Sequence, residues 1–93
     1  MIIIQTNRFK KVYKKLHPNQ LNDINKAIRA VIEDFNIGEQ KTGDLSWLRV
    51  YKFRVLSQLV LLGYSIDADE GEIVLTFIDL GFHENFYRDL KKI

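Results

Sequence analysis

The sequence predicts an α+β fold in which a twisted antiparallel sheet packs against an N-terminal helical hairpin, in the order β-α-α-β-β-β-α. Three observations predict it. Between residues 8 and 36 the apolar side chains recur at helical spacing, with Pro18 dividing that stretch in two. Between residues 47 and 80 the period falls to two. Short polar or glycine-containing segments join the alternating runs, which makes sequence neighbours antiparallel.

Each element has a local reason. Ile2-Ile3-Ile4-Gln5 is β-branched and apolar and reads as a short strand. Thr6 or Asn7 can cap a helix carrying Phe9, Val12, Tyr13 and Leu16 on one side and lysines on the other. His17-Pro18 ends it, because proline disfavours helix in the residue before it. A longer helix over about 18–36 presents Leu21, Ile24, Ala27, Ile28, Val31, Ile32 and Phe35 as one stripe, and Asn36-Ile37-Gly38 reads as a glycine cap at its end.

Residues 38–45 read as a loop. The run 47–55 alternates, so Lys52 and Arg54 share one face of a strand while Tyr51 and Phe53 take the other, with Arg49 on the face opposite Lys52 and Arg54. The run 58–66 is apolar nearly throughout and reads as the central strand. Asp67 to Gly71 reads as a turn and 72–80 as the last strand. Gly81 breaks it, and a short helix from His83 to Lys92 follows. In that helix Phe86, Leu90 and Ile93 point inward, and His83 and Tyr87 lie one turn apart on another side.

With 93 residues, 46% hydrophobic and 28% charged, the chain is expected to form one domain over residues 1–93. It has no cysteine, which removes disulfides, thiolate zinc sites and a cysteine nucleophile together. The apolar opening Met1 to Ile4 is too short for a signal-peptide core, and no run approaches the ~18 apolar residues that span a bilayer. The expected compartment is the cytoplasm, without membrane contact. Two histidines 66 residues apart argue against a histidine metal site, and no cofactor motif is present. The acids at 67–72 lack the spacing of a calcium loop and read as a solvated turn.

Net charge is only +2, but it is segregated. Residues 1–16 hold Arg8, Lys10, Lys11, Lys14 and Lys15 with no acid, and Arg49, Lys52 and Arg54 form a second basic cluster. Such a distribution permits a positive face that draws in polyanions, but on charge alone a solvated helix surface is the preferred reading.

Three stretches, taken in order, resemble toxins of the RelE/ParE superfamily of type II toxin–antitoxin modules, and the resemblance covers nearly the whole chain. Lys41 to Arg54, ending Trp47-Leu48-Arg49-Val50-Tyr51-Lys52-Phe53-Arg54, is similar to the family's loop and strand of the form Y-(K/R)-hydrophobic-(K/R). Gln58-Leu59-Val60-Leu61-Leu62-Gly63-Tyr64 is similar to its strand of the form R-hydrophobic-hydrophobic-Y. Leu80-Gly81-Phe82-His83-Glu84-Asn85-Phe86-Tyr87 resembles the G-x-(H/R/K)…Y end of the sheet in HigB-like and ParE-like members. Gln58 departs from the pattern, since RNA-cleaving members usually carry there an arginine that contacts the scissile phosphate.

The resemblance implies a RelE-like fold and a ribosome-dependent, metal-independent mRNA endonuclease (an mRNA interferase) that inhibits translation. His83, Tyr87, Lys52 and Arg54 would carry catalysis, and Lys10, Lys11, Lys14, Lys15 and Arg49 would hold RNA. Metal-free cleavage must deprotonate a 2′-hydroxyl, stabilise phosphate charge and protonate the leaving 5′-oxygen. Lys52 and Arg54 suit the second task, and His83 suits the proton transfers because the unperturbed pKa of a histidine lies near neutrality. Each residue also has a plain structural reading: solvated strand positions for Lys52 and Arg54, a helix-start surface histidine for His83, a core aromatic for Tyr87. The family further implies a cognate antitoxin wrapped over sheet and hairpin in a hetero-oligomer. The rival implied function is a ParE-like inhibitor of DNA gyrase that cleaves nothing, motivated by Gln58; a binding module without toxicity is a third.

Overall fold

The computed structural model describes residues 1–90, and of His83, Glu84, Asn85 and Asp89 the backbone alone. β1 (Ile2–Gln5) leads into α1 (Asn7–Lys14) and α2 (Pro18–Glu33). Then come β2 (Glu39–Gln40), one 3₁₀ turn at Gly43–Leu45, β3 (Arg49–Val55), β4 (Gln58–Asp69), β5 (Glu72–Phe82) and α3 (His83–Leu90). The strands form one sheet in the order β1-β5-β4-β3-β2, with the apolar β4 at its centre. No helix among the described residues is long and apolar enough to cross a membrane.

Local chemistry starts both hairpin helices. The Thr6 hydroxyl accepts from the Phe9 amide at 3.1 Å and donates to the Ile78 carbonyl at 2.7 Å, so the cap of α1 is also its tie to β5. Pro18 occupies the first turn of α2, where its missing N–H costs nothing, and the Gln20 side chain accepts from the His17 amide at 2.8 Å. Across the hairpin the Tyr13 hydroxyl donates to Asn25 Oδ1 at 2.8 Å.

α2 does not end on a glycine cap, contrary to the expectation from Asn36-Ile37-Gly38. It stops at Glu33, and Asp34 adopts an extended conformation with its carboxylate accepting from the Asn36 amide at 3.1 Å. Gly38 serves another purpose. A Cβ there would lie 2.6 Å from the Tyr64 hydroxyl oxygen and 3.0 Å from the Val50 carbonyl carbon, so only glycine lets the chain pass. The Tyr64 ring is fully buried; its hydroxyl accepts from the Gly38 amide and donates to the Phe35 carbonyl, both at 2.9 Å. Burial pushes this phenol above its ordinary pKa.

Further features differ from the sequence reading, among them that β5 runs through Gly81 to Phe82 instead of breaking there. The loop over 38–45 contains β2, which pairs with β3 through Glu39–Val50 and Gln40–Arg49. The turn expected over 67–71 narrows to Glu70 and Gly71, because β4 runs on to Asp69 and β5 begins at Glu72. β3 begins at Arg49, leaving Trp47 exposed with its indole N–H on the Asp44 carbonyl at 3.2 Å. β1 joins β5 in parallel, while β2 to β5 form antiparallel pairs.

The sheet carries a core on each face. Against the hairpin lie Val55, Val60, Leu62, Tyr64, Leu75, Phe77 and Leu80, packed on Phe9, Ile24, Ala27 and Val31. On the other face Leu48, Val50 and Leu61 meet Phe86 and Leu90 of α3. Both helix positions agree with the inward side read from the sequence; Ile93 lies outside the described residues. A bulge links the two cores. Gly63 pairs with Asp79 but Tyr64 with Phe77, so Ile78 is the extra residue, and Phe77 and Leu80 both turn to the hairpin.

Candidate functional site

Strict alternation along β3 puts Lys52 and Arg54 on the α3 face, since Val50 on the same side packs under Phe86. Both side chains are exposed. Two residues apart on one strand, they stand ~7 Å from each other, a separation that two oxygens or neighbouring groups of a phosphodiester backbone can bridge. Arg54 Nη1 also donates to the Ser57 carbonyl at 3.1 Å, which braces the guanidinium against the β3–β4 turn.

The sheet register then sets what lies beside them. Lys52 pairs with Leu61, and Leu61 with Gly81, forming one row across three strands. Arg54 pairs with Leu59 in the next row of that face. Val60 pairs with Phe82, the last residue of β5, so the backbone of His83 begins α3 at the level of Leu59. Two strand spacings, ~10 Å, separate that backbone from Arg54. The side chain of His83 lies outside the described residues. Between the two positions the floor is Leu59, Leu61 and Gly81, without a charged residue on it.

α3 is held over this face by Phe86. A Cβ at Gly63 would meet its Cζ at 2.7 Å, so the ring rests directly on the β4 backbone. Tyr87 packs edge-on to Phe86 at 5.3 Å between centroids and turns toward β2, away from Arg54. Its hydroxyl is enclosed and the Lys41 ammonium sits 5.3 Å over its ring. Hydrogen bonding to Tyr87, with a smaller contribution from Glu39 at 3.2 Å, raises the pKa of Lys41 despite the opposing effect of burial.

That shift has a sign. A base whose folded pKa is raised contributes stability that is fully present below the ordinary lysine value and is lost as pH climbs through the raised one. Unfolding midpoints of the native chain should therefore fall at alkaline pH more steeply than those of Lys41→Met. Urea titrations of both proteins at several pH values test this, and parallel curves would remove Lys41 as an anchor of α3.

The remaining sequence candidates separate into two places. Lys10, Lys11, Lys14 and Lys15 are exposed along α1. Of these, Lys11 comes near the start of α3, because with Arg8 it lines a pocket of about 200 Å³ walled by Asp79, Gly81, Phe82 and Phe86. Arg49 is on the hairpin face, as alternation requires. Its guanidinium donates to the carbonyls of Gly38 and Asn36 at 3.1 and 3.2 Å and to Gln40 Oε1 at 2.9 Å, an arrangement that ties β3 to the segment after α2. It is not brought to Lys52 and Arg54. Gln58 pairs with Val55 and shares the hairpin face, so the residue in the place of the family's arginine points away from that pair as well.

Two participants gave no sequence signal. Asp79 is buried, with Oδ2 3.0 Å from Arg8 Nε and Oδ1 accepting from the Leu80 amide at 2.9 Å, which fixes the strand end that delivers Gly81 and His83. Lys41 stands in a loop with no periodicity to mark it. Among the described residues, no three histidine or acidic side chains converge as a metal-ligand set.

The family model described as a ParE-like toxin of type II bacterial toxin–antitoxin systems matches residues 3–91. Solved structures share the fold at low identity. A YoeB/ParE toxin from Agrobacterium tumefaciens is 19% identical with a TM-score of 0.65, over 89% of this chain and 99% of that one. A mutant of the E. coli toxin RelE in the free state is 21% identical with a TM-score of 0.67, over 99% and 96% of the two chains. The same RelE mutant bound to a peptide of the antitoxin RelBc is 22% identical with a TM-score of 0.65 and the same coverage. No curated protein matches the chain.

Proposed function

Because this chain belongs to the ParE-like toxin family of type II bacterial toxin–antitoxin systems, we propose that its toxic activity is ribosome-dependent cleavage of mRNA in the cytoplasm. The observation that carries this reading is the joint placement of Lys52, Arg54 and the backbone of His83 on one face of the sheet, around an uncharged floor.

The proposed step is an internal transesterification. The RNA 2′-oxygen loses its proton and attacks the adjacent phosphorus, the bond to the 5′-oxygen breaks, and that oxygen takes up a proton. Lys52 and Arg54 stabilise the extra negative charge on the phosphoryl oxygens. They do so without reorganisation, since the strand fixes their backbone positions before substrate arrives. His83 is assigned to proton transfer because its ordinary pKa lies near neutrality. Tyr87 contributes by holding α3 in place over the sheet. Lys10, Lys11, Lys14 and Lys15 engage the RNA backbone, a contact that weakens as salt rises. Arg49 contributes through the architecture of β3, and the natural restraint on the whole is a cognate antitoxin.

Primer extension on cellular mRNA after brief induction of the chain tests the reading. Discrete cuts at codon-spaced positions are expected. Growth arrest with intact mRNA and induction of the DNA-damage response would replace it with gyrase inhibition, which the uncharged Gln58 favours.

A further inference from the structure

We infer that the edge of β4 left open beyond the start of β3 accepts, as one more strand, an extended segment of a partner protein in which Lys or Arg alternates with apolar residues. This partner is distinct from the neutralising one, and it binds at the end of the sheet away from the candidate active site.

The open edge follows from unequal strand lengths. β3 begins at Arg49, which pairs with Tyr64, whereas β4 continues to Asp69. Residues 65–69 therefore have β5 on one side and no strand on the other. The two-residue turn at Glu70 and Gly71 fixes which groups are left over. Such a turn is closed by a hydrogen-bonded pair, here Asp69 with Glu72, and bonding alternates along a strand. Ser65, Asp67 and Asp69 thus bond to β5, while Ile66 and Ala68 turn their N–H and C=O groups to the empty side. A cleft of about 600 Å³ lies against that side, with Phe35, Asn36, Trp47, Arg49, Ile66 and Asp67 in its walls.

The two faces of the vacant lane ask for different side chains. Tyr64 and Ile66 pack on the hairpin side, so Asp67 and Asp69 belong to opposite sides from Ile66. A residue opposite Ile66 meets it and Phe35, both half-buried, which calls for an apolar side chain. On the other face stand Asp67, Asp69 and, directly across from Asp69, Glu72. Glu72 meets the Met1 ammonium at 2.6 Å, whereas Asp67 and Asp69 form no ion pair among the described residues. Like charges opposite each other on a sheet cost stability, and a lysine or arginine laid beside them offsets that cost. Arg49 does not supply it, because its guanidinium lies on the hairpin face against the Gly38 and Asn36 carbonyls. Trp47, 46% exposed and held by its indole N–H on the Asp44 carbonyl, adds a ring face for a cation. Strand addition then supplies main-chain bonds, and the alternation supplies the choice of segment.

The same charges disfavour other occupants. Two copies of this chain joined edge to edge would bring their own Asp67 and Asp69 together, and RNA phosphates would face three carboxylates. Acids on an open edge therefore reject most strands while admitting a basic one. Ile66 lies seven residues beyond Leu59, the partner of Arg54, which is ~23 Å along β4. A segment bound here leaves Lys52, Arg54 and the start of α3 uncovered, so it belongs to a protein on which the active toxin docks.

Trp47 is the single tryptophan of the chain, so its emission reports on the cleft directly. The probe is a blocked hexapeptide of alternating valine and lysine, titrated into the full chain with calorimetry alongside. Saturable binding with a shift in emission is expected. A counterpart with glutamate in place of lysine should bind at least about tenfold more weakly, and Asp67→Lys with Asp69→Lys should reverse that preference. Ala68→Pro removes an N–H on the empty side and none from the β5 ladder, and should abolish binding. Methylation of alternate peptide amides makes the same cut from the ligand's side, whether or not Ala68→Pro folds: one phase should abolish binding and the other spare it. Equal binding of the lysine and glutamate peptides, equal binding of both methylated forms, or no saturable binding overturns the inference and leaves the toxin reading intact. Competition by oligouridylate overturns it in favour of RNA. Emission that shifts with protein concentration alone overturns it in favour of a second copy. Displacement of the peptide by the product of the reading frame adjacent to the gene overturns it in favour of the neutralising partner.

Discussion

Arg54→Ala is expected to lower mRNA cleavage by about 10²–10³-fold without shifting the unfolding midpoint, and His83→Ala to abolish cleavage. The size follows from the role. A cation placed on the oxygens that gain charge as the pentacovalent phosphorane forms interacts more strongly with the transition state than with bound RNA, so its loss appears in turnover. Stability is spared because Arg54 is exposed and its hydrogen bond to the Ser57 carbonyl lies at an exposed turn that water can solvate. Lys52→Ala should cost less than Arg54→Ala, since a guanidinium grips two phosphate oxygens where an ammonium acts as a point charge. Arg54→Lys should restore part of the activity, and Lys10→Ala or Lys14→Ala should change only the salt dependence of binding. Cleavage at discrete sites by primer extension is the readout. Full activity in Arg54→Ala would dismiss the strand pair from the chemistry, whatever becomes of His83.

Phe86→Ala is expected to destabilise the protein by about 3–4 kcal/mol and to release α3 from the sheet. Phe86 is 2% exposed and lies where a Cβ on Gly63 would intrude, so no neighbouring side chain stands ready to fill its space. Gly63→Ala attacks the same contact from below. Its methyl would sit 2.7 Å from Phe86 Cζ and 3.2 Å from Leu48 Cδ1, too close without moving the ring. The two changes should be strongly non-additive: Gly63→Ala costs stability in the native chain and little in Phe86→Ala, where the methyl enters vacated space. Urea unfolding of the four proteins measures the coupling, and hydrogen exchange along α3 reads its release. Additive losses would mean that α3 is held by Leu90 and Tyr87 instead. Cleavage should fall with α3 release, because the helix start carries His83.

How much of this was legible in the chain depends on the range over which each interaction acts. The periods of α1, α2 and β3 to β5, the cap at Thr6, the stop at His17-Pro18 and the inward side of α3 are set by neighbours within a few residues. The same is true of the shared face of Lys52 and Arg54 and the opposite face of Arg49, since alternation is a property of the strand alone. The resemblance to the family implied, as an expectation, that this face and the helix starting at His83 serve one site.

What only tertiary structure decided depends on contacts between distant residues. Gly38 resembles a helix cap in sequence, yet Tyr64, 26 residues later, makes it a point of close approach. β2 is two polar residues and exists as a strand only because β3 offers it hydrogen bonds. The parallel pairing of β1, the bulge at Ile78, the burial of Asp79 against Arg8, and the turning of Tyr87 toward Lys41 all join segments that no local window contains. By itself the sequence determined which residues share a face. The register between strands then determined which faces meet, because a hydrogen bond or a packed ring is satisfied only when both partners have arrived.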